Sequence, residues 1–268
     1  MPQVVLVTGA SSGLGKAIAD HLFHSGYTVY GTSRKPADSG LPWNMLVMDV
    51  SNRQSVRTAV EQILAKEKLI DVLVNNAGMG IGGAIERCSI EEIHRQFDVN
   101  FFGLVNVTQE VLPYMRAKKS GKIINFSSVG GLMGLPFQGY YSASKFAVEG
   151  FSEALAMELK PFGIQVAVVN PGDFQTGFTA SRIQAAAENE DSPYKMYYDR
   201  ALAVIEKDEN GGENPQKVAR LIDKIIRSKN PKFRNLVGRF DQRLMARIKP
   251  LLPHKLTGWI LRDHYGIK

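Results

Sequence analysis

A chain of 268 residues, 44% hydrophobic and 22% charged, is long enough to bury a large core and exceeds the average domain, although doubly wound α/β sheets commonly reach this size as one unit. Its single cysteine, Cys88, excludes an internal disulfide framework and a cysteine-rich zinc site and fits a reducing cytoplasm, so Cys88 reads as structural and no metal is expected. The net charge of +7 is confined to Lys232–Lys268, which holds nine Lys/Arg against two acids; the first 231 residues sum to zero, unlike an enzyme with a basic field for nucleic acid around its cleft. Met1-Pro2-Gln3 runs straight into apolar Val4, which predicts no export leader. Ile123 to Ser144 is uncharged but interrupted by glycines, serines, glutamine and proline, so no membrane-spanning helix is expected.

Val4 to Thr8 predicts a buried strand, and Gly9-Ala10-Ser11-Ser12-Gly13-Leu14-Gly15 the turn into a helix reaching about Ser25. Glycines there let the backbone approach a pyrophosphate, whose charge the free N–H groups and positive end of the helix would meet; the alternative is a glycine-rich turn with no ligand. Thr28 to Ser33 predicts the second strand, followed by Arg34 and Lys35. No acid between Val29 and Lys35 is present to take a ribose 2′-hydroxyl, whereas Arg34 with Ser33 suits a 2′-phosphate, which points to NADP unless Arg34 and Lys35 are merely solvated loop charges. Met45 to Val47 predicts a third strand leading to Asp49-Val50, then a helix from about Asn52 to Lys66; Asp49 either accepts from an adenine amino group or caps that helix. Ile70 to Val74 predicts the fourth strand, ending in Asn75-Asn76-Ala77-Gly78, where amides can tie strand ends and small residues leave room for a cofactor.

Ile90 to Ala117 predicts one long helix carrying Asn100, a polar residue among Phe and Val that must be satisfied locally or do a job. Lys122 to Phe126 predicts the fifth strand, with Ser128 just past its end. Tyr141 and Lys145 stand four residues apart at the head of an amphipathic helix reaching about Lys160, so they share a face one turn apart. An ammonium beside a phenol favours phenolate and brings it toward the working range of a general acid or base, although Tyr-x-x-x-Lys also arises by chance on many helices. Ile164 to Val169 predicts the sixth strand, leading into Asn170-Pro171-Gly172-Asp173-Phe174-Gln175-Thr176, whose backbone and Thr176 hydroxyl could hold a carboxamide. Residues 177–214 show little strand character and mix aromatic and apolar residues with acids at Glu188 to Asp191, which predicts a substrate lid over a cavity lined near Met79, Leu135 and Phe174. A helix from about Pro215 to Arg227 and a strand near Phe233 to Val237 complete seven strands.

Residues 1–238 thus read as a single domain and 239–268 as a basic amphipathic extension. In the extension Phe240, Leu244, Ile248 and Leu251 recur at helical spacing beside Arg239, Arg243 and Arg247; Pro250 and Pro253 then break the helix, and Leu256, Trp259 and Ile260 form a second apolar face. Such a segment either lies on an anionic membrane or docks both faces on the enzyme itself.

Together, Thr8-Gly9-x-x-x-Gly13-x-Gly15, Asn75-Asn76-Ala77-Gly78, Asn100, Ser128, Tyr141-x-x-x-Lys145 and Pro171-Gly172 resemble the short-chain dehydrogenase/reductase family over about residues 3 to 237. The resemblance implies a doubly wound Rossmann fold, a seven-stranded parallel sheet flanked by helices, with a helical C-terminal extension, a nicotinamide cofactor, and a homodimer or homotetramer. By position it implies that Ser128 polarises a carbonyl, Tyr141 gives or takes its proton, Lys145 holds the nicotinamide ribose and depresses the tyrosine pKa, and Asn100 maintains a proton-relay water. Gly9, Ser11, Ser12, Gly13, Leu14, Gly15, Ser33, Arg34, Asp49, Val50, Asn76, Ala77, Gly78, Pro171, Gly172 and Thr176 would join Tyr141 and Lys145 around the cofactor. Gly130 to Phe137 and Ser144 to Gly150 look most like hydroxysteroid dehydrogenases of the oestrogenic type and retinol dehydrogenases, which handle greasy alcohols and ketones; a keto-sphingoid base is equally admissible.

The expected activity is therefore NADP(H)-dependent interconversion of an alcohol and a ketone or aldehyde on an apolar, steroid-, retinoid- or lipid-like substrate, in the cytoplasm or at a membrane surface. A catalytically silent NADP(H)-binding sensor or scaffold is the alternative, against which the complete proton-transfer set argues. A nucleic-acid partner is not expected, because no reading motif accompanies the basic tail.

Overall fold

The computed structural model describes residues 2–36 and 40–267; Met1 of the opening stretch and Lys268 of the basic tail lie outside the described residues. Strand β1 (Val4–Val7) is buried along its whole length, with Val5 and Val7 in one core and Val4 and Leu6 in the other. Four consecutive apolar residues demand that double burial, which only a central strand of a sheet covered on both faces provides.

The chain continues through α1 (Gly13–His24), β2 (Thr28–Ser33), β3 (Asn44–Val47), α2 (Arg53–Glu67), β4 (Val72–Asn75), β5 (Ile81–Gly82) and α3 (Ile90–Phe97). After a π turn at Asp98–Phe102 come α4 (Gly103–Lys118), β6 (Gly121–Phe126), α5 (Gly139–Leu159) and β7 (Ile164–Pro171). The remainder is α6 (Phe178–Ser181), β8 (Ile183–Gln184), α7 (Lys195–Asn210), α8 (Gln216–Arg227), β9 (Arg234–Val237), α9 (Phe240–Ile248) and α10 (His254–His264). Seven strands pair in the order β3-β2-β1-β4-β6-β7-β9, all parallel. Helices α1 and α8 cover one face through Ile18, Leu22, Ile222 and Ile226, while α2, α4 and α5 cover the other through Val60, Val107, Val111 and Leu155. This is the doubly wound Rossmann architecture, whose ligand crevice lies beyond the strand ends where the order reverses, here between β1 and β4. Register brings those ends level: Val7 pairs with Val74 and Asn75 with Asn125.

Three features differ from the sequence reading. The long helix over Ile90–Ala117 is two helices joined by the π turn, where the Gly103 amide reaches back to the Asp98 carbonyl. Residues 177–214 hold a short strand, β8, paired with β5, and a 16-residue helix, α7, packed through Tyr198, Ala201 and Ile205. Phe174, read as lying near a cavity, is buried in the core with Val169 of β7 and Val218 of α8.

The extension is helical and docks by one side only. Tyr265 and Leu261 pack with Ala201, Ile205, Leu135 and Phe137; Arg239 and His264 both reach Asp208 of α7, and the Lys249 ammonium donates to the Leu132 carbonyl at 3.0 Å. The other side stays bare, with Phe240 73%, Leu251 83% and Trp259 57% exposed and Leu244 and Leu256 also exposed. Ile248 and Ile260 are half-buried.

Candidate active site

The turn after β1 is built for close approach. Gly9 has φ +67°, and a side chain there would meet the Ala77 Cα at 2.9 Å; a Cβ on Gly15 would meet the Gly9 carbonyl oxygen at 2.2 Å. Ser12 leads into α1 without a side-chain cap, and both Ser11 and Ser12 are exposed, so hydroxyls and the first-turn N–H groups of α1 face the crevice mouth. Leu14 anchors the turn by packing on the core. Asn76 ties the turn to β4, its amide donating to the carbonyls of Thr8 at 2.9 Å and Gly9 at 3.1 Å. Thr176, past the Pro171-Gly172 end of β7, comes within 3.4 Å of where a Gly13 Cβ would stand, so the loops after β1 and β7 close around one space.

The end of the crevice near Arg34 is more mixed. Arg34, Asp49 and Ser51 share a cleft of about 600 Å³ with His94, Arg95 and Asp98. Asp49 does not cap α2. Asn52 does, accepting from the Ser55 amide, while Asp49 accepts from the Ser51 amide and hydroxyl. The Ser33 hydroxyl accepts from the Lys35 amide at 3.3 Å, and the Val50 side chain is buried in the core beside Gly103.

Ser128, Tyr141, Lys145 and Asn100 converge beside this crevice. A Cβ placed on Gly130 would stand 3.3 Å from the Tyr141 ring and 3.5 Å from the Ser128 hydroxyl; one on Gly78 would stand 3.3 Å from the Asn100 Oδ1 and 3.6 Å from the Lys145 Nζ. Lys145 is buried, donates to the Phe126 carbonyl at 2.9 Å and lies 6.0 Å from the Tyr141 ring centre. Asn100 is satisfied locally: its carbonyl accepts from the Met79 amide at 2.8 Å, and its amide donates to the Met79 carbonyl and the Ser144 hydroxyl. Because it sits in the π turn, the backbone there departs from the regular helical ladder, a common device at functional positions.

The chain matches the family described as short chain dehydrogenase over residues 3–187. The chain belongs to the short-chain dehydrogenase/reductase family. It is 52% identical over 267 residues to a 3-ketodihydrosphingosine reductase of Bacteroides thetaiotaomicron, covering 100% of this chain and 99% of that one. It is 36% identical to retinol dehydrogenase 8 of Bos taurus, covering 95% of this chain and 85% of that protein. A short-chain dehydrogenase from Streptomyces avermitilis superposes with a TM-score of 0.83 at 32% identity, over 97% of this chain and 96% of that one. The protein is thus an oxidoreductase of a family that binds NAD or NADP.

One electrostatic expectation for this dehydrogenase is corrected. Tyr141 is held above the ordinary phenol value because burial outweighs the hydrogen bond to Ser128 and the pull of Arg182. Lys145 itself is pushed down to about 8 by burial. Burial therefore governs both groups, and proximity of the ammonium does not bring the phenol down. The sequence reading also passed over several residues of the site. The Thr8 hydroxyl accepts from the amides of Asn76 and Ala77, and buried Gln96 bridges Met79 and Ile81. From α6, Phe178 packs against Tyr141 with ring centres 6.1 Å apart. Gln96 was visible as a lone amide on an apolar helix face; Phe178 carried no local mark.

Proposed function

We propose that the protein is an NADPH-dependent reductase of a lipid-like ketone, a long-chain keto-sphingoid base or a related apolar carbonyl. The observation that carries this reading is the convergence of Ser128, Tyr141 and Lys145 beside the crevice between β1 and β4, and the 52% identity to a 3-ketodihydrosphingosine reductase supports the substrate class. The turn suits a dinucleotide, because Gly9 and Gly15 pack against Ala77, Asn76 and the turn's own backbone more closely than side chains would allow, and the first-turn N–H groups of α1 carry no side-chain cap. Gly9 to Gly15 would hold the pyrophosphate, Asn76 to Gly78 and Lys145 the nicotinamide ribose, Thr176 the carboxamide, and Arg34, exposed and in no ion pair among the described residues, the 2′-phosphate. A nicotinamide cofactor held there would supply the hydride for the carbonyl carbon. Ser128 donates a hydrogen bond to the carbonyl oxygen, and Tyr141, whose raised pKa keeps it protonated, gives that oxygen its proton. Asn100 fixes the loop at Met79 and supports proton resupply through Lys145. Residues 177–214 act as a lid that excludes water once the substrate is in place.

Oxidation of NADPH followed with 3-ketodihydrosphingosine, retinal and steroid ketones tests the reading. Turnover of the sphingoid ketone above the others is expected, and no oxidation with any of them would sink it. Comparison of NADPH with NADH in wild type and Arg34→Ala tests the cofactor, with NADPH preference expected to fall about tenfold or more. We further propose a cytoplasmic homodimer or homotetramer whose bare C-terminal side rests on anionic lipid. Phe102, Tyr114 and Met157 are exposed on the π turn, α4 and α5 and offer apolar surface for subunit contact, which sedimentation equilibrium would register as a multiple of the chain mass.

A further inference from the structure

The lid carries a charged pair into the wall of the site. Arg182 follows α6, and its side chain is only 5% exposed. Its Nη2 bonds Glu209 from the far end of α7, and the other Glu209 oxygen accepts from the Thr179 hydroxyl, so the carboxylate is satisfied on both oxygens. The guanidinium is not. Nε and Nη1 are cut off from solvent and meet no acceptor among the described residues. The Phe178 ring neighbours both this pair and the reacting centre, 5.8 Å from the guanidinium carbon and 6.1 Å from the Tyr141 ring. Across from it stand Gly80 and Gly82: a Cβ at Gly80 would lie 3.2 Å from Phe178 and 4.0 Å from Arg182 Nε, and one at Gly82 would lie 3.5 Å from Arg182 Cδ. Both ends of the pair are felt at the phenol, Glu209 raising the Tyr141 pKa and Arg182 lowering it.

An apolar substrate needs no such pair, and burying a guanidinium with two unmade hydrogen bonds is costly. Arginine offers donors only, so its complement is an oxygen acceptor. The acceptor is neutral rather than anionic, because Glu209 already neutralises Arg182. We propose that Arg182 is a specificity-determining residue whose Nε–H and Nη1–H bind a hydroxyl oxygen carried by the substrate near its reacting carbonyl, so that the enzyme selects hydroxylated, polar-headed ketones over plain hydrocarbon ones. This rests on the reductase reading above and narrows it.

The test uses the full-length protein and two ketones that differ only in the hydroxyl, 1-hydroxyoctadecan-3-one and octadecan-3-one. The catalytic efficiency for each is measured with NADPH, and the binding of each to the NADPH complex of Tyr141→Phe is measured by calorimetry. Arg182→Met alone strands the Glu209 carboxylate, so the main variant is Arg182→Met/Glu209→Gln, which removes both charges, with its melting temperature recorded. Wild type is expected to favour the hydroxylated ketone by about tenfold or more, the scale of a site built to bond a substrate hydroxyl. The double variant should lose that preference while keeping its efficiency toward octadecan-3-one within about threefold. An equal loss toward both ketones, or a preference that survives, overturns the proposal. If wild type reduces neither ketone but binds the hydroxylated one in an Arg182-dependent way, the reductase reading falls and this inference stands. Turnover without that dependence has the opposite meaning, and absence of both turnover and binding overturns both.

Discussion

Tyr141 and Lys145 illustrate how a four-residue spacing can be read while its electrostatics cannot. The spacing places both side chains on one helix face, but the balance between a neighbouring charge and desolvation depends on how deeply the rest of the fold covers them. Tyr141→Phe removes only the hydroxyl, so turnover is expected to fall about a hundredfold or more with NADPH affinity nearly unchanged, as stopped-flow rates and calorimetry would show. Lys145 is charged below its pKa of about 8 and neutral above it, so reduction efficiency should decline as pH rises through 8; a flat profile between pH 7 and 9 would remove Lys145 from the reaction. Asp173 is the converse case. Burial, opposed by its bond from Gln242, pushes its carboxyl up to about 6, so the proton it keeps favours the folded state below the free aspartate value of 3.8, and that contribution is lost as pH rises through 6. Asp173→Asn keeps an acceptor for Gln242 and should therefore raise stability at pH 7 by roughly 1–2 kcal/mol while changing little near pH 4, as urea unfolding at the two pH values would show. Greater stabilisation at pH 4 would contradict the sign.

At the scale of elements, strands and turns were legible where the pattern is local. β1 announces itself by an unbroken apolar run, and the glycines after it by a spacing that a helix N-terminus beside a sheet can use. Gly15→Ala is expected to weaken NADPH binding about tenfold or more and to lower the melting temperature, since its methyl would strike the backbone oxygen of Gly9, which no side-chain rotation relieves. Calorimetric affinity equal to wild type would mean that the turn does not cradle the cofactor. The π turn at Asp98–Phe102 was not legible, because its residues follow the same apolar spacing as an α-helix and the extra residue shows only in the backbone hydrogen-bond pattern. Helix α7 was missed for a different reason. Tyr198, Ala201 and Ile205 do recur at helical spacing, but they lie among acids and lysines in a segment whose apolar face is completed by Tyr265, 60 residues further along.

For the whole molecule, the C-terminal extension divides its two sides between the enzyme and the outside. One side is spent on Asp208, Leu132 and the Tyr265 cluster; the other presents Phe240, Leu244, Leu251, Leu256 and Trp259 with exposed Arg247, Lys255 and Arg262 around them. No helix among the described residues is long and apolar enough to cross a membrane. An apolar stripe with an aromatic anchor and flanking cations suits an interface, and each basic residue near an anionic surface adds about 1 kcal/mol. The full chain is therefore expected to float with anionic vesicles at low salt and to be released at high salt, whereas Phe240→Ser/Trp259→Ser should stay unbound with an unchanged melting temperature; equal flotation of both proteins would refute the lipid contact. Arg239 contributes nothing to that surface, because the fold pairs it with Asp208 and Asp241. The sequence by itself determined the buried strand β1, the glycine turn after it and the shared helix face of Tyr141 and Lys145, because apolar periodicity, glycine spacing and helix registry act over a few residues. Only the tertiary structure decided that Arg182 and Glu209 meet beside Phe178, that Asn52 rather than Asp49 caps α2, and that half of the basic tail faces inward, because those outcomes depend on which distant elements supply partners and exclude water.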